Sequence, residues 1–213
     1  MTDRRRAREL AAEAAAENRP TEWFETLYRE AAEGAAIVPW DDGAPNPHLV
    51  AWLDREAPPP GRALDVGCGY GDNAGELVRR GFDVVGFDVS ETAVARARER
   101  FGDGARFETA DARVGDPAWV GAFDLVVEIY TLQTLPPEAR AAVLDRLASW
   151  VRPGGTLLVV ARARDDDQPA TEAPPWQLTR AEIESIGLEV ERFEDFLDDE
   201  DPPVRRFRAT LRA

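Results

Sequence analysis

The stretch Ala63-Leu64-Asp65-Val66-Gly67-Cys68-Gly69-Tyr70-Gly71-Asp72-Asn73-Ala74 decides how the chain reads. A short apolar run ends in three glycines at alternate positions, and a helix-forming segment follows. The pattern predicts strand, tight turn, helix. Glycine at 67, 69 and 71 permits positive φ and lets backbone approach a ligand closely. The following helix presents unpaired N–H groups at its start. A nucleotide-like ligand therefore fits across the turn. A dinucleotide fingerprint, G-x-G-x-x-G, needs its third glycine at position 72 when the first is Gly67. That position is Asp72, and a carboxylate at a helix start repels a pyrophosphate.

Outward from this turn, strand and helix patterns alternate. Arg62–Val66 reads as a strand and Asp72–Arg80 as a helix stopped by Gly81. Phe82–Phe87 is almost continuously apolar, as a parallel strand buried on both faces should be. Ser90 is a candidate N-cap for a helix through Phe101. Arg106–Thr109 and Phe123–Glu128 read as strands, and Pro137–Val151 as a helix. Pro153-Gly154-Gly155 then turns the chain into a fifth strand, Thr156–Ala161. Thr179 caps a helix ending near Gly187, and Leu188–Phe193 and Val204–Leu211 close the pattern. Such alternation implies an α/β, doubly wound sheet. Upstream, residues 1–19 favour helix by propensity but have little to bury, which predicts a mobile or loosely docked helix. From Pro20, Trp23, Phe24, Leu27 and Tyr28 recur at helical spacing, with Thr21 as a candidate N-cap. Pro39 to Pro47 form a loop, and His48 to Leu53 begin another amphipathic turn. Pro58-Pro59-Pro60 is a stiff spacer. The expected division is an N-terminal helical cover over 1–55 and a ligand-binding domain over 56–213.

Composition narrows the function. The 213 residues suffice for a sizeable core. The formal charge is −15, from 41 acidic and 26 basic residues, and every basic residue is arginine. That field opposes binding to nucleic acid or to an anionic membrane, although Arg4 to Arg8 and Arg205 to Arg208 are local basic runs. The acidic runs 165–167 and 198–201 read as solvated turns. The single cysteine, Cys68, excludes an intramolecular disulfide, and no metal-ligand spacing occurs. No run approaches the roughly 20 apolar residues of a membrane span, and the N-terminus lacks a secretory core. A cytoplasmic protein is expected.

Three further segments carry chemistry. Asp88 stands at the end of the second strand, where a carboxylate accepts hydrogen bonds from both ribose hydroxyls of an adenosine ligand. Its alternative role is to interact with the helix start around Ser90. Thr109-Ala110-Asp111-Ala112-Arg113 follows the third strand. Phe123 to Pro136 follows with Glu128 at the carboxyl end of the fourth strand, where open α/β sheets bind ligands. With Arg152-Pro153-Gly154-Gly155-Thr156, these motifs occur in the order and spacing of one family. The chain resembles the class I, Rossmann-like S-adenosylmethionine (AdoMet) methyltransferases over residues 62 to 162. The segment Pro39-Trp40-Asp41 with Gly43 and Pro45 is similar to their small-molecule thiopurine, thiol and tellurite-resistance types.

The resemblance implies a mostly parallel seven-stranded sheet in the order 3-2-1-4-5-7-6, with the last strand antiparallel. It implies AdoMet as cofactor and S-adenosylhomocysteine as product. The implied cofactor-binding residues are Asp65, Gly67, Cys68, Gly69, Gly71, Asp88, Val89, Asp111, Ala112, Glu128 and Trp40. Asp111 would meet the adenine amino group and the Ala112 N–H a ring nitrogen, unless Asp111 only caps the following turn. Glu128 would take the methionine end of AdoMet, with a general-base role as the alternative. Where the family often has histidine after the fourth strand, this chain has Gln133 and Thr134. Tyr130 and Gln133 are therefore expected to align a small-molecule acceptor. His48, the only histidine, is read as a loop residue. Trp23, Tyr28, Trp40 and Tyr130 are candidate aromatic partners of the sulfonium or its acceptor, with core packing as the alternative for Trp23, Tyr28 and Trp40. A monomer or homodimer is expected. A non-catalytic AdoMet-binding protein and a nicotinamide-dependent oxidoreductase remain as alternatives.

Overall fold

A computed structural model describes residues 5–213, so Arg4 of the first basic run lies outside the described residues. Seven strands form a sheet in the order β3-β2-β1-β4-β5-β7-β6, as the resemblance implied. The chain divides into two compact units, residues 1–112 and 113–213.

The first unit begins with α1 (Arg5–Ala16), α2 (Glu22–Ala32) and α3 (Pro47–Glu56). The expectation of a loosely docked first helix is corrected here. Ala7, Leu10, Ala11 and Ala14 of α1 are buried, and Arg6 holds Glu30 of α2 through Nε and Nη2 at 2.7 and 2.6 Å. The alanines give α1 a buried stripe that orders almost no side-chain freedom, a surface that a count of large apolar residues overlooks. Thr21 occupies the N-cap position of α2 without a side-chain cap bond. Asn46 caps α3 by accepting the His48 N–H, so His48 lies in a helix rather than a loop. Next come β1 (Arg62–Val66), α4 (Asp72–Arg79), β2 (Asp83–Asp88), α5 (Glu91–Phe101) and β3 (Arg106–Thr109). β2 pairs in parallel with both β1 and β3, which brings the carboxyl ends of all three strands to one edge.

The second unit holds β4 (Phe123–Ile129), a 3-10 turn over Leu132–Thr134, α6 (Pro137–Trp150), β5 (Val151–Arg162), α7 (Arg180–Glu184), β6 (Glu189–Leu197) and β7 (Arg205–Arg212). β4 and β5 are parallel, and β7 runs antiparallel to β5 and β6. β5 begins five residues earlier than expected. Phe123 pairs with Val151 and Leu125 with Thr156, so the strand carries Pro153-Gly154-Gly155 as a bulge. Glycine is required at 155, where a Cβ would lie 2.9 Å from the carbonyl oxygens of Arg152 and Phe123. Thr179 caps α7 in a full capping box with Glu182.

Gly75 of α4 shows packing overriding propensity. A Cβ there would lie 2.3 Å from the Phe101 ring. Alanine gains about 1 kcal/mol of helix propensity, while overpacking a filled site costs about 1–3 kcal/mol. Gly75→Ala should therefore destabilise the fold and lower the urea midpoint, against its helix-propensity ranking.

Candidate active site

In the first unit, β1 enters the glycine turn and the turn is fixed by its own backbone. Cys68 N–H donates to Phe87 O at 2.8 Å and Gly71 N–H to Cys68 O at 2.9 Å. Gly67, Gly69 and Gly71 all have positive φ. Gly69 is needed for a second reason. A Cβ there would lie 2.8 Å from the Tyr28 hydroxyl, so α2 packs closely against the turn. The Tyr28 hydroxyl accepts from Trp40 Nε1 at 2.9 Å. Trp23, Phe24, Tyr28, Trp40 and Tyr70 form a chain of stacked and edge contacts with centroids 4.1 to 6.3 Å apart. Trp23 and Tyr28 are buried core residues of this cluster.

Asp88 is the junction of the unit. Its Oδ2 accepts the Gly69 N–H at 3.0 Å and its Oδ1 the Ser90 N–H at 2.9 Å. The helix-start reading of Asp88 is realised: it holds the start of α5, and it also holds the glycine turn. Ser90 Oγ accepts the Ala93 N–H and donates to Glu25 Oε2 at 2.6 Å. Glu25 also accepts from Thr92 N–H at 3.1 Å and Thr92 Oγ1 at 2.6 Å. A carboxylate of α2 therefore caps α5 beside Asp88. Ala110 N–H donates to Asp88 O at 3.0 Å, which places the half-buried Asp111 and Ala112 next to the same strand end.

Burial raises the Asp88 carboxyl to about 6 against its backbone hydrogen bonds. Burial likewise raises Asp65 to about 8, opposed by the Ala74 N–H. Cys68 is buried, and desolvation with the nearby Asp65 and Asp88 pushes its thiol well up, so it is an inert packing residue. Asp72 does not act as the sequence reading assumed. Arg100 grips both its oxygens at 2.8 and 2.6 Å and also donates to Tyr70 O. Its charge is matched, so repulsion by Asp72 alone does not separate ligands.

In the second unit, Glu128 is completely buried at the end of β4. Its Oε1 accepts the Leu132 N–H at 2.9 Å, and burial raises it to about 7 against backbone bonds from Leu132 and Thr131. Tyr130 has φ +70. Gln133 is buried, and its Oε1 accepts the Arg162 N–H at 2.7 Å. That bond fixes the side chain and leaves the amide NH2 as a donor arm. Sequence reading missed Arg140, which is 1% exposed. It donates to the carbonyls of Leu132, Leu135 and Trp176 and to Glu182 Oε1, and so builds the loop that carries Gln133. The signal lay in the sequence only as an arginine among apolar helix positions.

Two buried oxygens among the described residues, Asp65 Oδ2 and Glu128 Oε2, have no protein partner. An orphaned buried carboxyl oxygen is costly, and each of these suits a cationic or hydrogen-donating partner. Comparison with known proteins names the class. The methyltransferase-domain family matches residues 63–155. Probable thiol methyltransferase 2 of Arabidopsis thaliana is 29% identical over 157 residues, spanning 71% of this chain and 67% of that protein. A solved structure of magnesium protoporphyrin IX methyltransferase from Synechocystis PCC 6803, with AdoMet bound, is 26% identical. It covers 77% of this chain and 76% of its own, with TM-score 0.59. The chain is a class I AdoMet-dependent methyltransferase. A structure from work on converting a disulfide bond into a thioacetal group during echinomycin biosynthesis is 26% identical. It has TM-score 0.73 and covers 90% of this chain and 92% of its own.

The methyltransferase's own residues fit AdoMet. The cofactor brings a sulfonium, an ammonium and a ribose diol. The first unit offers the buried carboxyls of Asp65 and Asp88, and the second that of Glu128, whose Oε2 is unmatched.

The raised Glu128 has a stability consequence with a definite sign. The native state holds a proton between the ordinary 4.5 and about 7 that the unfolded chain releases. Stability is therefore lost as pH rises through this window. Glu128→Gln, which never ionises, should be more stable than wild type at pH 8, by on the order of 2 kcal/mol. The two should melt at nearly the same temperature at pH 4.5. Calorimetric scans at both pH values check this.

Proposed function

We propose that this methyltransferase methylates a small-molecule sulfur nucleophile in the cytoplasm, with residues 1–55 as a cover over the AdoMet site. The observation that carries the reading is the end of β4. Tyr130, Thr131, Gln133 and Thr134 stand there, Gln133 offers its amide NH2 as a donor, and the single histidine, His48, lies on α3. Apart from Glu128, which this reading commits to the ammonium of AdoMet, nothing in this set accepts a proton readily at neutral pH. The acceptor that suits it is soft and already ionised, which describes a thiolate. The similarity to a thiol methyltransferase supports the same choice. The charge of −15 disfavours a nucleic-acid acceptor. Among the described residues, no helix is long and apolar enough to cross a membrane.

Bound AdoMet supplies a methyl carbon already activated by its sulfonium. Its methyl group would pass to the acceptor sulfur, leaving a thioether and S-adenosylhomocysteine. Asp88 would accept from the ribose hydroxyls. Asp111 and the Ala112 N–H would read the adenine, with Val89 beside it. Gly67, Cys68, Gly69 and Gly71 would shape the turn under the cofactor, with Asp65 stabilising that turn from within. Glu128 would meet the ammonium with Oε2. Trp40 and Tyr28 exclude water from above, with Glu25 tying their segment to α5. Tyr130 and the Gln133 NH2 orient the acceptor. Positioning and exclusion of water supply the rate.

Calorimetric titration with AdoMet and with NADH should show binding of AdoMet alone. Asp88→Ala removes two charge-assisted hydrogen bonds, each worth about 1.5–3 kcal/mol, so its AdoMet affinity should fall at least tenfold. Unchanged affinity contradicts the ribose assignment. Methyl transfer should be detected with hydrosulfide or thiophenol and not with phenol, the oxygen analogue.

Single-turnover transfer measured against pH tests the absence of a histidine base. His48→Ala should lower the rate only modestly and leave the profile in place. A wild-type step near pH 6.5, the ordinary histidine value, that disappears in His48→Ala overturns the positioning account.

A further inference from the structure

Arg206 lies on β7 and is 2% exposed. Its Nε donates to Asp198 Oδ2 at 2.7 Å, and its Nη2 donates to Glu200. Asp198 is also buried, contrary to the expectation of a solvated acidic turn. It accepts the Glu200 and Val204 N–H groups at 3.1 and 2.8 Å, and its own N–H reaches Val204 O at 2.9 Å. The loop 198–204 is thus wrapped around one guanidinium. A buried ion pair of this kind adds little to stability over well-packed apolar residues, so the fold alone does not explain it.

The guanidinium has a third neighbour. Its carbon lies 4.6 Å from the centroid of the Tyr130 ring. Tyr130 is the residue just past β4, and its φ of +70 is uncommon for a bulky side chain. Such a conformation persists only where the surroundings over-determine it, and it clusters at functional sites. Its N–H is fixed on Val160 O at 3.0 Å, and its ring is fixed by Arg206. Glu200 also lies 4.0 Å from Arg162, whose N–H holds Gln133. The loop 198–204 therefore reaches both residues assigned to the acceptor.

We infer that Arg206 is a positioning residue for methyl transfer, holding the Tyr130 ring in the single orientation that meets the acceptor. The inference rests on the acceptor role proposed for Tyr130. It also changes that role in one respect. The Arg206 guanidinium already lies over the ring and repels a second cation there, so Tyr130 serves the electron-rich acceptor rather than the sulfonium.

The chain has three tyrosines, so 3-fluorotyrosine labelling of the full protein gives three fluorine signals, and Tyr130→Phe identifies the relevant one. Arg206→Lys keeps the charge and loses the planar fork that both pairs with Asp198 and stacks on the ring. The Tyr130 signal should shift and broaden in Arg206→Lys, while the other two stay in place. For thiophenol, kcat/KM should fall about tenfold, with the Kd for S-adenosylhomocysteine changed less than twofold. In a Tyr130→Leu background, Arg206→Lys should cause no further loss. Glu200→Gln loosens the same clamp from its exposed arm and should move the same signal by a smaller amount; it decides the matter if Arg206→Lys does not fold. An unmoved Tyr130 signal, or an equal loss of kcat/KM in both backgrounds, overturns the inference. A wild-type protein that binds no S-adenosylhomocysteine overturns the cofactor assignment instead, which separates the two failures.

Discussion

A carboxylate buried at the end of a parallel strand must be satisfied from nearby backbone, and Asp88 shows how much follows from that. Its two oxygens take N–H groups from the glycine turn after β1 and from the start of α5. The turn is thereby held against the neighbouring strand end. Ser90, the next side chain along, caps α5 and passes a hydroxyl to Glu25 of α2. One acidic residue thus links β1, β2, α5 and the N-terminal helices. Burial still leaves its carboxyl raised to about 6, so the network does not fully replace lost hydration.

Arginine does the corresponding work in the second unit. Every basic residue in the chain is arginine, and two of them, Arg140 and Arg206, are almost fully buried. Arg140 collects loop carbonyls from two sides of the Gln133 turn, a task suited to a planar fork with five donors. Arg206 organises the acidic loop 198–204 around itself. Loops that border a binding edge cannot form a ladder, so their carbonyls need such donors. The acidic excess of the surface and the buried arginines therefore reflect different demands.

Most of the architecture was legible because it depends on local signals. Near-continuous apolar runs for parallel strands, Ser90 and Thr179 as caps, and glycines at alternate positions each have a short-range cause. The errors also have causes. α1 docks on alanines, whose contribution lies in close approach rather than in hydrophobic bulk. β5 runs through Pro153-Gly154-Gly155 because a bulge in strand pairing absorbs residues that read as a turn. Asp198 is buried because its partner Arg206 arrives from the following strand.

The sequence by itself determined the order of elements and the resemblance to the methyltransferases, since strand ends and turns follow from spacing along the chain. Tertiary structure alone decided what each side chain is spent on. Gly69 yields its space to Tyr28, Asp72 is neutralised by Arg100, and Gln133 gives its carbonyl to Arg162. Each of these pairs joins residues far apart in sequence, through contacts of a few ångströms. No periodicity or motif encodes such contacts, because they exist only once the packed elements bring the side chains together.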